Sequence, residues 1–205
     1  SAKLKTTSSY LYGRVEARIK LPRGRGIWPA FWMLPVNSGW PHNGEIDVME
    51  LVGHEPSKVH GTIHYGTSGH QYTGGSYTLA SGVFADDFHV FTVVWEPDQI
   101  KWYVDDVHYN TIHRDSIGSS SWPFDDGPFY LILNLAVGGQ WPGSPDSTTV
   151  FPQTMEVDWV RVSQDTGGQG CLDPAAINYD AEATSSDGSC QYEVTFSVDM
   201  GCSGL

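Results

Sequence analysis

At 205 residues the chain has room for one domain of about 150 residues or more plus a small appendage, with a core that needs no disulfide to hold it. Eleven Lys and Arg against 24 Asp and Glu give a formal net charge of −13, which phosphate backbones and anionic lipid repel, so nucleic acid and membrane surfaces are excluded as partners. No apolar run approaches the ~20 residues of a membrane-spanning helix. The sequence begins Ser1-Ala2-Lys3 without an initiator Met, as expected of a processed or partial piece of something longer.

The composition, with 23 Gly, 8 Trp and 10 Tyr, suits an all-β protein with many turns. Residues 10–21 alternate as a half-buried strand, with Val15, Ala17, Ile19 and Leu21 on one face and Arg14, Glu16, Arg18 and Lys20 on the other. Pro22 to Gly26 is a turn. Ile27 to Leu34 reads as a strand apolar on both faces, Trp28, Ala30 and Trp32 on one side and Phe31 and Met33 on the other. Residues 44–52, 58–65, 89–96, 100–104, 129–137 and 155–162 are further short strands between Gly, Pro and Asp turns, with Asp105-Asp106 at the tip of a hairpin. Short strands at regular spacing and no long helix predict a two-sheet sandwich or barrel.

This predicted domain covers residues 1–163. A polar, glycine-rich linker is expected at 164–170, a short Cys- and Asp-rich module at 171–192, and the start of a further, truncated module at 193–205, where Val194 to Val198 alternate again.

Glu45, Asp47 and Glu50 place three carboxylates within six residues of an otherwise apolar segment. In a regular strand Glu45 and Asp47 share a face and Glu50 points away. All three converge only if one extra residue is inserted, as in a β-bulge around Val48-Met49. A solvated strand of unrelated acids fits poorly beside Ile46, Val48, Met49, Leu51 and Val52, because buried acids are costly unless they line a wet cleft. A metal site built from the three acids is a competing reading. The stronger one is glycosidic-bond hydrolysis, which needs one carboxylate at the anomeric carbon and one carboxylic acid at the leaving oxygen, about 5–5.5 Å apart in retaining enzymes. Clustered carboxylates cannot all ionise easily, so the group keeps a proton. Glu45 is assigned as nucleophile and Glu50 as acid, then base, with Asp47 holding Glu45 in position.

The run Glu45-Ile-Asp-Val-Met-Glu50 resembles the active-site signature of glycoside hydrolase family 16, in the form with an additional residue that marks its laminarinase-type branch. Tyr12 to Arg18, Gly26 to Leu34, Gly61 to Tyr65 and Asn134 to Gly143 are similar to laminarinase segments, so the resemblance covers about residues 1–163. It implies a β-jelly-roll sandwich of two antiparallel sheets (concanavalin A-like), a concave cleft, retention of configuration, and the same roles for the two glutamates. Its implied activity is endo-hydrolysis of β-1,3-glucan. Mixed-linkage β-1,3-1,4-glucan hydrolysis and non-catalytic β-glucan binding on the same fold are the alternatives. Enzymes of this kind begin some tens of residues earlier, so strands completing both sheets are expected to be missing.

Sugar rings stack on aromatic faces, with their hydroxyls met by polar neighbours. Trp28, Trp32, Trp40 and Trp141 are therefore candidate sugar platforms, while Trp95 and Trp102 are read as core. Asn134, the one polar residue of its strand, and Gln140 beside Trp141 are candidate hydroxyl contacts. His64 matches the position of the family's His near the acid/base and is expected to orient or tune Glu50. Asp158 matches a calcium-ligand position of many family members.

Cys171 and Cys190 enclose Asp173, Asn178, Asp180 and Asp187, and this stretch resembles short Cys-closed acidic modules, somewhat like calcium-binding thrombospondin type 3 repeats. A Cys171–Cys190 disulfide and a secreted location are expected. Cys202 has no evident partner. The expected protein is a monomer that needs no cofactor for catalysis, with structural calcium as a candidate.

Overall fold

Alternation of buried and more accessible side chains shapes the strands at residues 13–20, 58–65 and 99–104 of the computed structural model, which describes residues 1–37, 39–118, 122–164, 171–179, 190–192, 194 and 196–198. In chain order the elements are β1 (Ala2–Thr6), β2 (Gly13–Lys20), β3 (Ile27–Pro35), β4 (Glu45–Glu50), β5 (Lys58–Tyr65), β6 (Gln71–Thr78), β7 (His89–Glu96), β8 (Gln99–Val104), β9 (Val107–His113), the single-turn α1 (Arg114–Ile117), β10 (Phe129–Val137), β11 (Glu156–Gln164), β12 (Cys190–Gln191) and β13 (Phe196–Val198). They form two antiparallel sheets. One has the order β13-β1-β10-β3-β4-β5-β6 and the other β12-β11-β2-β7-β8-β9. This is the expected all-β jelly-roll sandwich.

The core lies between the sheets. Phe31, Met33, Ile46, Val48, Met49, Ile63 and Leu131 of the first meet Val15, Ala17, Ile19, Phe91, Val93, Trp95 and Trp102 of the second. Each such side chain contributes about 1.5–3 kcal/mol on full burial. Trp95 and Trp102 are 1% and 0% exposed, as expected of core residues. The Asp105-Asp106 hairpin tip is formed, with both residues at positive φ (49° and 63°), the pattern of a primed turn.

Three features differ from the sequence reading. The strand expected over 10–21 starts only at Gly13, because Tyr12 (φ 64°) and Gly13 (φ 117°) turn the chain first; Tyr10 makes an isolated bridge to Phe129. Neither β1 nor β6 is among the strands expected from sequence. β1 alternates only weakly (Ala-Lys-Leu-Lys-Thr), and β6 (Gln-Tyr-Thr-Gly-Gly-Ser-Tyr-Thr) is an edge strand with no buried residue and two adjacent glycines. Finally, the run at 194–198 is joined to the sandwich, since Phe196 to Val198 pair with β1.

Cys171 and Cys190 are disulfide-bonded. Cys190 and Gln191 pair with β11, so the Cys-closed segment is hydrogen-bonded to the edge of the second sheet. Cys202, the 165–170 part of the linker, Asp180 and Asp187 lie outside the described residues.

Candidate active site

The bulge expected in β4 is present. Against β5, Asp47 faces Thr62 and Glu50 faces His60, so Val48 and Met49 together oppose Gly61. Against β3, Asp47 faces Trp32 and Met49 faces Phe31. Both residues of the bulge turn inward, Val48 at 2% and Met49 at 0% exposure. The parity of the strand is thereby reset, and Glu45, Asp47 and Glu50 share the outer face of the first sheet, bordering one cavity of 160 Å³.

The second sheet supports this irregularity through the core. Trp102 Nε1 on β8 donates a 2.8 Å hydrogen bond to the Asp47 carbonyl, giving a buried acceptor on the bulged strand its partner. The indole reaches it by passing over Gly61, where a Cβ would stand 2.2 Å from Trp102 Cδ1 and 2.5 Å from Nε1. Gly61 is therefore a glycine because an indole fills the space of its side chain.

Indole groups hold the two glutamates. Trp40 Nε1 donates to Glu45 Oε2 at 2.6 Å, and Trp28 Nε1 donates to Glu50 Oε1 at 3.0 Å. Each bond occupies one carboxyl oxygen, and both glutamates line the cavities beside them. His64 Nε2 is 2.9 Å from Asp47 Oδ2, though off the line of a hydrogen bond. Among the described residues no Lys or Arg forms an ion pair with any of the three acids.

Burial without a cation sets the protonation. Desolvation, with the Asp47 charge second, pushes Glu50 up to about 8, against the opposing Trp28 hydrogen bond and the His64 charge. Asp47 is raised well above the ordinary carboxylate range by burial and then by the charge and hydrogen bond of Glu45. The site is thus arranged to keep a carboxylic acid protonated at neutral pH beside a second carboxyl group.

Two cavities flank the acids. The larger, 510 Å³, is lined by Trp28, Glu45, Glu50, His60, Thr62, His64, His70, Tyr72 and Trp141. The smaller, opening on the β10 side, adds Ala30, Trp32, Asp47, Asn134 and Ala136. Asn134 Oδ1 accepts the Trp32 indole N–H at 2.6 Å, which fixes the ring's tilt in the cleft. Trp28 meets Trp141 edge-on at 5.7 Å.

Of the residues singled out from sequence, Trp28, Trp32, His64, Asn134 and Trp141 are brought to the acids in these cavities, and Trp40 reaches them through Glu45. Gln140 is exposed on the turn before Trp141 and lines neither cavity. Asp158 lies far from the cleft, on the outer face of the second sheet at a bulge of β11. There it is paired with Arg18 at 2.6 Å, so a calcium ion would have to displace that guanidinium.

Sequence reasoning missed His60, Thr62, His70 and Tyr72. His60 and Thr62 were readable, since they share the period-two face of His64 on β5. His70 and Tyr72 are carried by a loop and the unread β6, and only tertiary pairing places them: His64 Nδ1 is 2.7 Å from His70 Nε2 and the two rings stack at 5.0 Å.

An antiparallel sandwich with an acid-bearing bulged strand and an indole-lined cleft on one outer face defines the architecture of a polysaccharide-active domain. The model of the glycosyl hydrolases family 16 matches residues 1–161, and the chain belongs to that family. The glucan endo-1,3-beta-glucosidase A1 of Niallia circulans is 48% identical over 167 residues, covering 75% of this chain and 24% of that protein. The beta-glucanase of Rhodothermus marinus is 43% identical over 178 residues, covering 79% and 61%. Among solved structures, the laminarinase catalytic domain of Thermotoga maritima superposes with a TM-score of 0.70 at 40% identity, covering 78% of this chain and 75% of that one. The chain spans less than two thirds of the length of these two curated relatives.

Proposed function

We propose that the chain is an endo-acting hydrolase of β-1,3-glucan that works by double displacement with retention of configuration. The observation carrying this reading is the bulge of β4, which sets Glu45 and Glu50 on one face with Glu50 protonated up to about pH 8. Glu50 delivers its proton to the glycosidic oxygen while the Glu45 carboxylate bonds to the anomeric carbon, releasing the leaving sugar. Glu50, now ionised, then takes a proton from a water that attacks the same carbon and frees Glu45. The Trp28 and Trp40 hydrogen bonds each hold one oxygen of a carboxyl group and so fix its orientation in the cleft. Asp47, buried between them, hydrogen-bonds Glu45 and keeps it oriented.

The substrate reading is supported by the Trp and His side chains along a groove that no Lys or Arg lines, which suit a neutral glycan, and by the relatives' own names. We propose further that the protein acts outside the cell as a monomer and without a cofactor in catalysis; the Cys171–Cys190 bridge supports an oxidising compartment. The test is a polysaccharide panel on the mass-verified chain. Reducing ends should be released from laminarin, with the β anomer formed first. Hydrolysis confined to mixed-linkage glucan would replace the substrate assignment, and an α anomer would exclude retention.

A further inference from the structure

Glu45, Asp47 and His64 converge from neighbouring strands so that one oxygen or nitrogen of each lies within 4.8 Å of the others. Asp47 is 2% exposed, and its Oδ2 takes part in no hydrogen bond. A buried oxygen left this way is costly, and here it lies 2.9 Å from His64 Nε2. The other ring nitrogen of His64 is engaged by His70 Nε2. A histidine whose Nδ1–H is held by a second residue presents its Nε2 lone pair outward, as histidines that ligate metals do. In that tautomer the His64 lone pair and the Asp47 oxygen face each other with no cationic side chain paired to either acid among the described residues.

We propose that this trio is a binding site for a borderline divalent transition cation such as Zn²⁺, with Glu45, Asp47 and His64 as ligands, and that occupancy shuts the cleft to glucan. Two carboxylates and an imidazole suit Zn²⁺ and its neighbours, whereas calcium requires six to eight oxygens. A tetrahedral ion about 2.0–2.2 Å from each ligand separates ligand atoms by roughly 3.4 Å. His64 and Asp47, at 2.9 Å, would open by about half an ångström to reach that spacing, and the half-buried Glu45, within 4.8 Å of both, would close by up to about 1.4 Å. The larger cavity, which Glu45 and His64 both line, would supply a water as the fourth ligand. Binding removes Glu45 as nucleophile, so the inhibition rests on the function proposed above; the binding itself does not.

The experiment uses Glu50→Gln as a carrier that keeps all three ligands while being slow to hydrolyse. Calorimetric titration with ZnCl₂ should show one ion per chain, displaced when a laminari-oligosaccharide saturates the cleft. Adding Asp47→Asn or His64→Gln should weaken binding at least about tenfold, and so should His70→Ala, which removes a partner from the exposed side without touching the core. His89→Gln, at a His–Asp pair on the other sheet, should change nothing. Unaltered affinity in the three ligand-side variants, or no bound ion, overturns the proposal. In the unsubstituted chain Zn²⁺ should slow laminarin hydrolysis and a chelator restore it. Hydrolysis without Zn²⁺ binding sinks this proposal alone, and Zn²⁺ binding without any hydrolysis sinks the functional reading alone.

Discussion

The two sheets bury similar apolar inner faces, yet their outer faces are built on opposite principles. On the second sheet most of the strand charges have a counterpart: Arg14 with Glu16 and Asp106, Arg18 with Asp158, Lys101 with Glu96, and His89 with Asp105. On the first sheet Glu45, Asp47 and Glu50 receive indole and imidazole neighbours instead. Cations would have fixed all three acids as carboxylates. Indoles orient an acid without neutralising it, and burial then keeps a proton on it. One outer face is therefore a solvated surface and the other a site poised for proton transfer.

The sharpest way to break this contrast is to remove the acids of the first sheet. Glu45→Gln should lower kcat on laminarin by about four orders of magnitude or more. Glu50→Gln should lower it by about 10²–10⁴-fold, with far-ultraviolet circular dichroism unchanged in both. Near-native turnover in either variant would end the assignment.

A second effect follows from Glu50 itself. Because the acid must be protonated to act, kcat should fall as pH rises through about 8. The Trp28 hydrogen bond opposes the upward shift, so Trp28→Phe should move this alkaline limb to higher pH. The same group affects stability. Between the ordinary glutamate value of 4.5 and about 8 the folded chain binds a proton that the unfolded chain has released, so unfolding free energy falls as pH rises across that window. At about 1.4 kcal/mol per unit, discounted for partial exposure, Glu50→Gln should gain a few kcal/mol above pH 8 in denaturant titrations.

Support from behind the acids ranks next. Gly61→Ala places a Cβ against the Trp102 ring and should destabilise by about 1–3 kcal/mol. It should also reduce kcat more than KM changes, since Asp47 moves with the strand. Trp102→Phe removes the donor to the Asp47 carbonyl and should cost a similar amount. The smallest effect belongs to the paired face, where Arg18→Ala should change stability by roughly 1 kcal/mol or less and leave kcat alone.

Much of this division was legible in the sequence. The odd spacing between Asp47 and Glu50 required a bulge, and period-two reading put Trp28 and Trp32 on one face of β3. What stayed hidden was tertiary. Nothing local marks Trp102 as the donor to a strand 55 residues away, or marks Gly61 as the clearance for its ring. Trp102 is buried as a core residue should be, but its polar edge has an addressee that only the packed sandwich reveals. His70 escaped because it lies on a connecting loop, where periodicity carries no signal.

The bulge in β4 also bears on how the strand can change length. In most strands a single deletion turns every residue beyond it inside out. Here Val48 and Met49 both point into the core, so a chain one residue shorter at this point would return to plain alternation with Asp47 and the glutamate still on the same side. Removing Met49 would therefore change the distance and angle between the two carboxyl groups while leaving the chemistry of each intact. The spacing of the two glutamates is, in this strand, a quantity that insertion and deletion can tune.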